Sequence, residues 1–307
     1  MSFKQISIWF VGLLVLGLAS CNNNFDDPSA GQLDINTQQI RDYLIKSGLA
    51  SRVTTASSGL YYVITDTTRS SATAKVPALG DEVEFIYTLS YINGGTAVFV
   101  DSIRSSKPMY YPFGIGAIIP GLEQGVSLLR EGQKATLVMP YTLGFGGDAR
   151  TINGVTIPAY SPVIFTVQLI RARTQSEQIA DYTRNNGLLP LTTYSDSVKV
   201  FWRKSTQTGD VIASGDSVQI SYRGTLLRGA QAFDSSAAYK FRFFSSNFIA
   251  GFASGLTKLR QGDSAVIIFP STQGYGTQGL VSGISYVVPP YAPLAFEITV
   301  TSVKKNK

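Results

Sequence analysis

The chain has 307 residues, 44% of them hydrophobic, with 26 Lys and Arg against 20 Asp and Glu for a formal net charge of +6. That length and hydrophobic content suit two packed domains, and they exclude a disordered or multi-span membrane chain. Histidine is absent and cysteine occurs once, at Cys21, which excludes an intrachain disulfide, His-dependent metal sites and Ser-His or Cys-His catalysis.

The first twenty residues differ in kind from the rest. Lys4 precedes an apolar run over residues 6–18 that ends in small residues, the pattern of a signal peptide and too short for a comfortable bilayer span. Leu18-Ala19-Ser20-Cys21 resembles the bacterial lipobox, which implies cleavage before Cys21 and a lipid on its thiol. The expected location is the cell envelope, with the lipid anchor in a membrane, on the periplasmic side of the outer membrane. Residues 21–36 are expected to be the lipidated tether, since 22–31 are polar and contain Gly, Pro and Ser.

A helix is expected over residues 38–46, capped by Gly48. Its signature Ile40-Arg41-Asp42-Tyr43 with Gly48-Leu49 returns as Ile179-Ala180-Asp181-Tyr182 with Gly187-Leu188, the mark of an internal repeat. Strand-like alternation follows each helix, over residues 82–87 and 217–222, opened by Gly80-Asp81 and Gly215-Asp216. A second pair of strands, 134–139 and 264–269, follows Gly132-Gln133 and Gly262-Asp263. Between these strands each half holds one short helix. Pro120 opens the first, with Leu122, Val126 and Leu129 on one face; Phe248, Phe252, Leu256 and Leu259 form the matching face of the second. Last come strands over 163–170 and 294–300. Many short strands with one helix and no βαβ alternation indicate an α+β fold, a twisted antiparallel sheet wrapping a short helix, twice in tandem. The expected domains are 37–173, with its core at 80–171, and 174–307, with its core at 214–303; the boundary falls between residues 173 and 185.

In the second half, Tyr222, Phe233-Asp234-Ser235-Ser236, Phe248-Ile249-Ala250-Gly251-Phe252, Gly274-Tyr275-Gly276, Val287-Val288-Pro289-Pro290 and Phe296 occur in one order. Together they resemble FKBP-type peptidyl-prolyl isomerases. The first half resembles the same family through Tyr87, Val100-Asp101-Ser102, Ile118-Ile119-Pro120-Gly121-Leu122, Gly144-Phe145-Gly146, Ile157-Pro158 and Phe165. It departs where the family has Phe-Asp, a tyrosine before glycine and an aromatic pocket floor; here stand Val100, Phe145 and Leu122. The resemblance implies an isomerase without cofactor. Tyr222, Phe233, Asp234, Phe252, Tyr275 and Phe296 would be its catalytic set, with Phe252 under the proline ring, Tyr275 donating to a substrate carbonyl and Asp234 ordering the wall near Tyr222. Phe248, Ile249, Val287 and Val288 would bind substrate, as would Tyr87, Val100, Asp101, Ile118, Ile119, Leu122, Phe145 and Phe165 in the first half. Phe241 and Phe269 read as core.

Such residues suit the chemistry. Prolyl isomerisation is rotation about a C–N bond with a barrier of about 18–20 kcal/mol, and no bond is made or broken. A millionfold acceleration requires roughly 8 kcal/mol of differential stabilisation of the twisted amide. The twisted amide is the less dipolar form, so an apolar, water-excluding cavity favours it. The expected partners are proline-containing segments of exported polypeptides and, through the lipid, a membrane; nucleic acid is excluded because the positive charge is scattered, its longest cluster being Lys304-Lys305. Turnover is expected mainly in the second half. The rival reading is a non-catalytic peptide-binding chaperone or a structural module of an envelope assembly, and the chain also resembles FKBP-like lipoproteins linked to gliding motility in the Bacteroidota.

Overall fold

The structure, a computed structural model, describes residues 29–188, 192–193, 197–229 and 231–306. The expected signal peptide, Cys21 and most of the expected tether lie outside them. The first helix, α1 (Gln32–Lys46), starts earlier than its apolar pattern suggests. Residues 32–36, expected in the tether, are helical because Asn36 is buried there: its amide nitrogen donates to the Tyr160 carbonyl at 2.8 Å and its oxygen accepts from the Tyr141 N–H at 2.9 Å. Gly48, with φ +70°, takes the left-handed position that ends the helix.

The first sheet is built from β1 (Thr54–Thr55), β2 (Tyr61–Asp66), β3 (Glu82–Asn93), β4 (Thr96–Ile103), β5 (Met109–Pro112), β6 (Lys134–Met139) and β9 (Val163–Arg173). All pairs are antiparallel, in the order β1-β2-β6-β9-β3-β4 with β5 also on β3. The hairpin of β7 (Arg150–Ile152) and β8 (Val155–Ile157) stands apart from this sheet. Helix α2 (Pro120–Ser127) packs on one face, burying Leu122 and Val126 with Leu137, Met139 and Phe165. Strand alternation turns Val138 and Ile164 to the other face, where α1 covers them with Ile40 and Leu44. The approach of α2 is close: a Cβ on Gly125 would lie 2.0 Å from Leu137, and one on Gly121 2.3 Å from the Met139 sulfur.

The second domain repeats this plan. It comprises α3 (Gln175–Asn185), β10 (Thr192–Thr193), β11 (Lys199–Lys204), β12 (Ser217–Leu226), β13 (Ala232–Arg242), α4 (Ala250–Leu256), β14 (Ser264–Phe269), the hairpin of β15 (Leu280–Ser282) and β16 (Ser285–Val288), and β17 (Leu294–Lys304). The sheet order is β10-β11-β14-β17-β12-β13. Gln175 stands where Asn36 stands in the first repeat and does the same work, donating to the Ser271 hydroxyl at 3.0 Å and accepting from the Ser271 N–H at 2.7 Å. The α+β tandem architecture expected from the repeat is therefore observed.

The region expected to hold the boundary is filled by α3. β9 ends at Arg173, Thr174 caps α3 with a reciprocal capping box to Glu177, and Ile179 packs with Phe201, Val266 and Ile268 of the second sheet. The last strand of one domain thus runs into a helix docked on the next, with a single residue between them. Glu82 joins the two further, accepting from Arg173 and, at 2.9 and 3.1 Å, from Arg228. The Arg228 guanidinium also lies 3.6 Å from the Tyr110 ring centre. Gly80 in the first domain leaves room for the Tyr291 ring of the second, which a Cβ there would meet at 2.6 Å. Arg173 also bonds Asp181 at 2.8 Å, and this bond, working against burial, holds the Asp181 carboxyl below the ordinary aspartate range.

Candidate active site

In the second domain, four elements bring the aromatic residues together. β12 carries Tyr222, β13 carries Phe233 and Asp234, α4 carries Phe252, and β17 carries Phe296. Phe252 and Phe296 form the floor, 5% and 4% exposed, with ring centres 4.9 Å apart. Phe233 stands at 90° to Phe296 at 5.5 Å and meets Tyr275 edge-on at 6.4 Å. Tyr222 lies 5.9 Å from Phe252 on the other side, and Phe248 lies 5.5 Å from Phe252. Ile249 is half-buried against the same core, and Val288 is fully buried in it, whereas its neighbour Val287 is only half-buried and packs outside that cluster.

The polar groups are few. The Tyr222 hydroxyl donates to Asp234 Oδ2 at 2.8 Å. Burial, then the hydrogen bond to Asp234, pushes the Tyr222 phenol well above the ordinary tyrosine range, so it remains a donor. Burial and the nearby Asp234 raise Tyr275 too. Its hydroxyl has no hydrogen-bond partner among the described residues, which leaves it free to donate to a bound carbonyl.

The first domain holds the same frame with a different filling. Tyr87 donates to Asp101 Oδ2 at 3.0 Å and meets Phe165 edge-on at 5.5 Å. Burial, with Asp101 adding to it, pushes Tyr87 up to about 12. Val100, Leu122 and Phe165 are 2%, 3% and 3% exposed, while Ile118, Ile119 and Phe145 are half-buried against this core. Asp101 has a second partner: Asn153 Nδ2, at the tip of the β7–β8 hairpin, donates to its Oδ1 at 2.9 Å. The Arg150 guanidinium sits 5.6 Å from the Phe145 ring centre.

Two such frames in one chain match known proteins. The model of the family described as FKBP-type peptidyl-prolyl cis-trans isomerase matches residues 73–170 and 209–301. The chain belongs to the FKBP-type peptidyl-prolyl cis-trans isomerase family. It is 27% identical over 227 residues to human peptidyl-prolyl cis-trans isomerase FKBP9, covering 72% of this chain but 35% of that protein, so it spans about a third of that relative's length. It is 35% identical over 95 residues to peptidyl-prolyl cis-trans isomerase FPR2 of Saccharomyces cerevisiae, covering 31% of this chain and 67% of that one. Among solved structures, the three FKBP domains of wheat FKBP73 are 18% identical at a TM-score of 0.38, covering 81% of this chain and 97% of that one. FkpA of Escherichia coli is 24% identical at a TM-score of 0.37, covering 47% of this chain and 62% of that one.

Two features of these FKBP clefts escape a reading of motifs. The first is Gly224, on β12 opposite Phe296 and Asp234. A Cβ there would lie 2.7 Å from Phe296 and 2.9 Å from Phe233, so the glycine makes the space in which those rings meet. The repeat places Leu89 at the matching position on β3, 2% exposed and paired across the strand with Phe165. Leu89 with Val100 therefore fills in the first FKBP domain what Gly224 with Phe233 leaves to aromatic rings in the second. The second feature is Phe241, read as core. It is half-buried and extends the aromatic wall, stacked on Tyr239 at 5.0 Å and edge-on to Phe248 at 5.0 Å. Phe269 is core as expected, fully buried against Phe296.

The helix readings also need correction: Leu129, expected on the face of the first short helix, lies beyond its 120–127 span, though buried in the same core. Phe248 and Leu259, expected on the face of the second short helix, lie outside its 250–256 span and bracket it, with Phe248 ending a 3-10 turn. Phe248 nevertheless reaches Phe252. In chemical terms, the second FKBP cleft offers an apolar floor for a proline ring, aromatic walls that keep water from the amide, and a free phenol at its edge. That set can favour a less dipolar, twisted amide without any nucleophile.

Proposed function

We propose that this chain is a prolyl isomerase acting on proline-containing segments of exported polypeptides at the cell envelope, with turnover carried by its second FKBP domain. The observation that carries this reading is the aromatic cleft of Phe233, Phe252, Tyr275 and Phe296 beside the Tyr222–Asp234 pair. The first domain keeps the tyrosine–aspartate pair and Phe165 but has aliphatic Val100 and Leu122 in place of Phe233 and Phe252, which favours a role in holding polypeptide rather than turning it over. The site at the membrane rests on the sequence alone: the apolar run over residues 6–18 and the lipobox-like Leu18-Ala19-Ser20-Cys21 support a lipid on Cys21. The resemblance to gliding-associated lipoproteins belongs to the same proposal.

One experiment tests location and activity together. In cells making the full chain, the protein fractionates with membranes, its N-terminal peptide has the mass of a diacylglycerol-modified Cys21, and the detergent-extracted chain accelerates cis-to-trans exchange of a short proline peptide. An unmodified Cys21 or a soluble protein contradicts the anchor, and a preparation that leaves the exchange rate unchanged contradicts the enzyme.

A further inference from the structure

We propose that Asn153 decides which of the two FKBP clefts admits a prolyl peptide, by latching the β7–β8 hairpin onto the first cleft. This deepens the reading of the second domain as the working one and rests on it.

The two halves of the chain differ at this point. Asp101 and Asp234 hold matching positions, and each accepts a hydrogen bond from its strand tyrosine through Oδ2. In the first domain the remaining oxygen, Oδ1, takes the Asn153 amide at 2.9 Å. β8 lies against β4, and Ile152 and Val155 beside the turn pack onto the first core. Both ends of the latch are thus secured, one by a polar bond and the other by apolar contact.

The hairpin at the matching place in the second domain has no such bond among the described residues. Ile152 pairs with Val155 across Asn153-Gly154, and Ser282 pairs with Ser285 across Gly283-Ile284, so Gly283 occupies the place of Asn153. Both residues are left-handed, with φ +49° and +62°, but the residues after them differ, Gly154 being left-handed at φ +81° and Ile284 not, so the second turn is of another type and also lacks the amide. Around the second turn, Val281, Ile284 and Tyr286 are 54%, 104% and 49% exposed. Asp234 is exposed where Asp101 is half-buried. A peptide entering the first cleft must displace Asn153 from the aspartate rim and lift Ile152 and Val155. One entering the second meets neither obstacle.

The left-handed turn also dictates the clean substitution. Asn153→Gly removes the amide, keeps the backbone geometry at no steric expense, and copies the natural Gly283. Asn153→Asp keeps a side chain of the same shape that tolerates this conformation but has no N–H to donate. The probe is a tetrapeptide with an apolar residue before its proline, titrated into the full chain while the backbone amide resonances of Phe145 and Tyr275 are followed. In the unaltered chain the Tyr275 amide is expected to shift at low peptide concentration and the Phe145 amide only far above it. In both variants the Phe145 response should move to about tenfold lower peptide, the factor that one net hydrogen bond supplies, with the Tyr275 curve unchanged. A Phe145 curve that is the same in the unaltered chain and in either variant overturns the latch. A silent Tyr275 amide in every sample instead overturns the parent reading of the second cleft, and the two failures are read at different residues.

Discussion

Phe252→Ala is expected to destabilise the second domain by about 3–5 kcal/mol, the usual range for removing a buried phenylalanine. Phe252 is 5% exposed and its ring is surrounded by Tyr222, Phe248 and Phe296 at 5.9, 5.5 and 4.9 Å, so little around it can collapse into the space without losing its own contacts. A domain in the upper part of the usual margin of about 5–15 kcal/mol remains mostly folded after that loss. Turnover should suffer separately. Burying a ring of this size against a partner is worth roughly 1.5–3 kcal/mol, so kcat/KM on a proline peptide should fall by about ten- to a hundredfold. Phe252→Leu copies Leu122 of the first domain and should retain more stability than activity. Urea denaturation and peptide exchange on the same samples separate the two effects. Unchanged kcat/KM in folded Phe252→Ala would remove this residue from the cleft.

Glu82→Ala is the second large effect, and it acts between the domains. Removing one member of a buried ion pair costs about 3–5 kcal/mol because the other charge is stranded. Here Arg173 is 9% exposed but keeps its bond to Asp181, and the Arg228 side chain is 35% exposed, so a loss of about 2–3 kcal/mol is expected. The loss should appear as uncoupling: a single calorimetric transition in the unaltered chain separating into two, with each domain otherwise intact. Acid should weaken the same joint. The folded Asp181 carboxyl lies below its ordinary value, so its contribution is complete above about pH 4 and is lost as pH falls through that lower folded value. An unaltered single transition in Glu82→Ala would show that the strand-to-helix connection and the contacts that remain, among them Arg173–Asp181 and Tyr291 on Gly80, couple the domains without it.

How much of this was legible in the sequence depends on which side chains reveal their surroundings by pattern. The alternation in residues 82–87 and 217–222 predicted strands that the structure extends to Glu82–Asn93 and Ser217–Leu226, because a half-buried strand must alternate. Pro120 and its following apolar positions marked α2 for a similar reason. Tyr222, Asp234, Phe252, Tyr275 and Phe296, named by the FKBP motifs, lie in one cluster because their spacing follows the order of strands and helix in that fold. Asn36 and Gln175 were invisible: a polar residue in a helix reads as solvent-facing, and only the fold shows what their amides anchor. Gly224 was silent because its contribution is space, which no residue type announces. Asn153 looked like any turn asparagine, since its partner Asp101 lies 52 positions away in the chain. The available signal was the internal repeat, which sets Gly224 against Leu89 and Asn153 against Gly283.

If turnover belongs to the second cleft, as proposed, matched truncations in the full chain have unequal effects. Tyr275 and Phe145 hold equivalent places, each half-buried against its own core and each following the same 3-10 turn. Measured on one proline peptide, kcat/KM should fall about tenfold or more in Tyr275→Ala, which loses both a hydroxyl donor and a wall contact, and should change less than about twofold in Phe145→Ala. Equal losses in the two variants, or a larger loss in Phe145→Ala, would contradict the assignment.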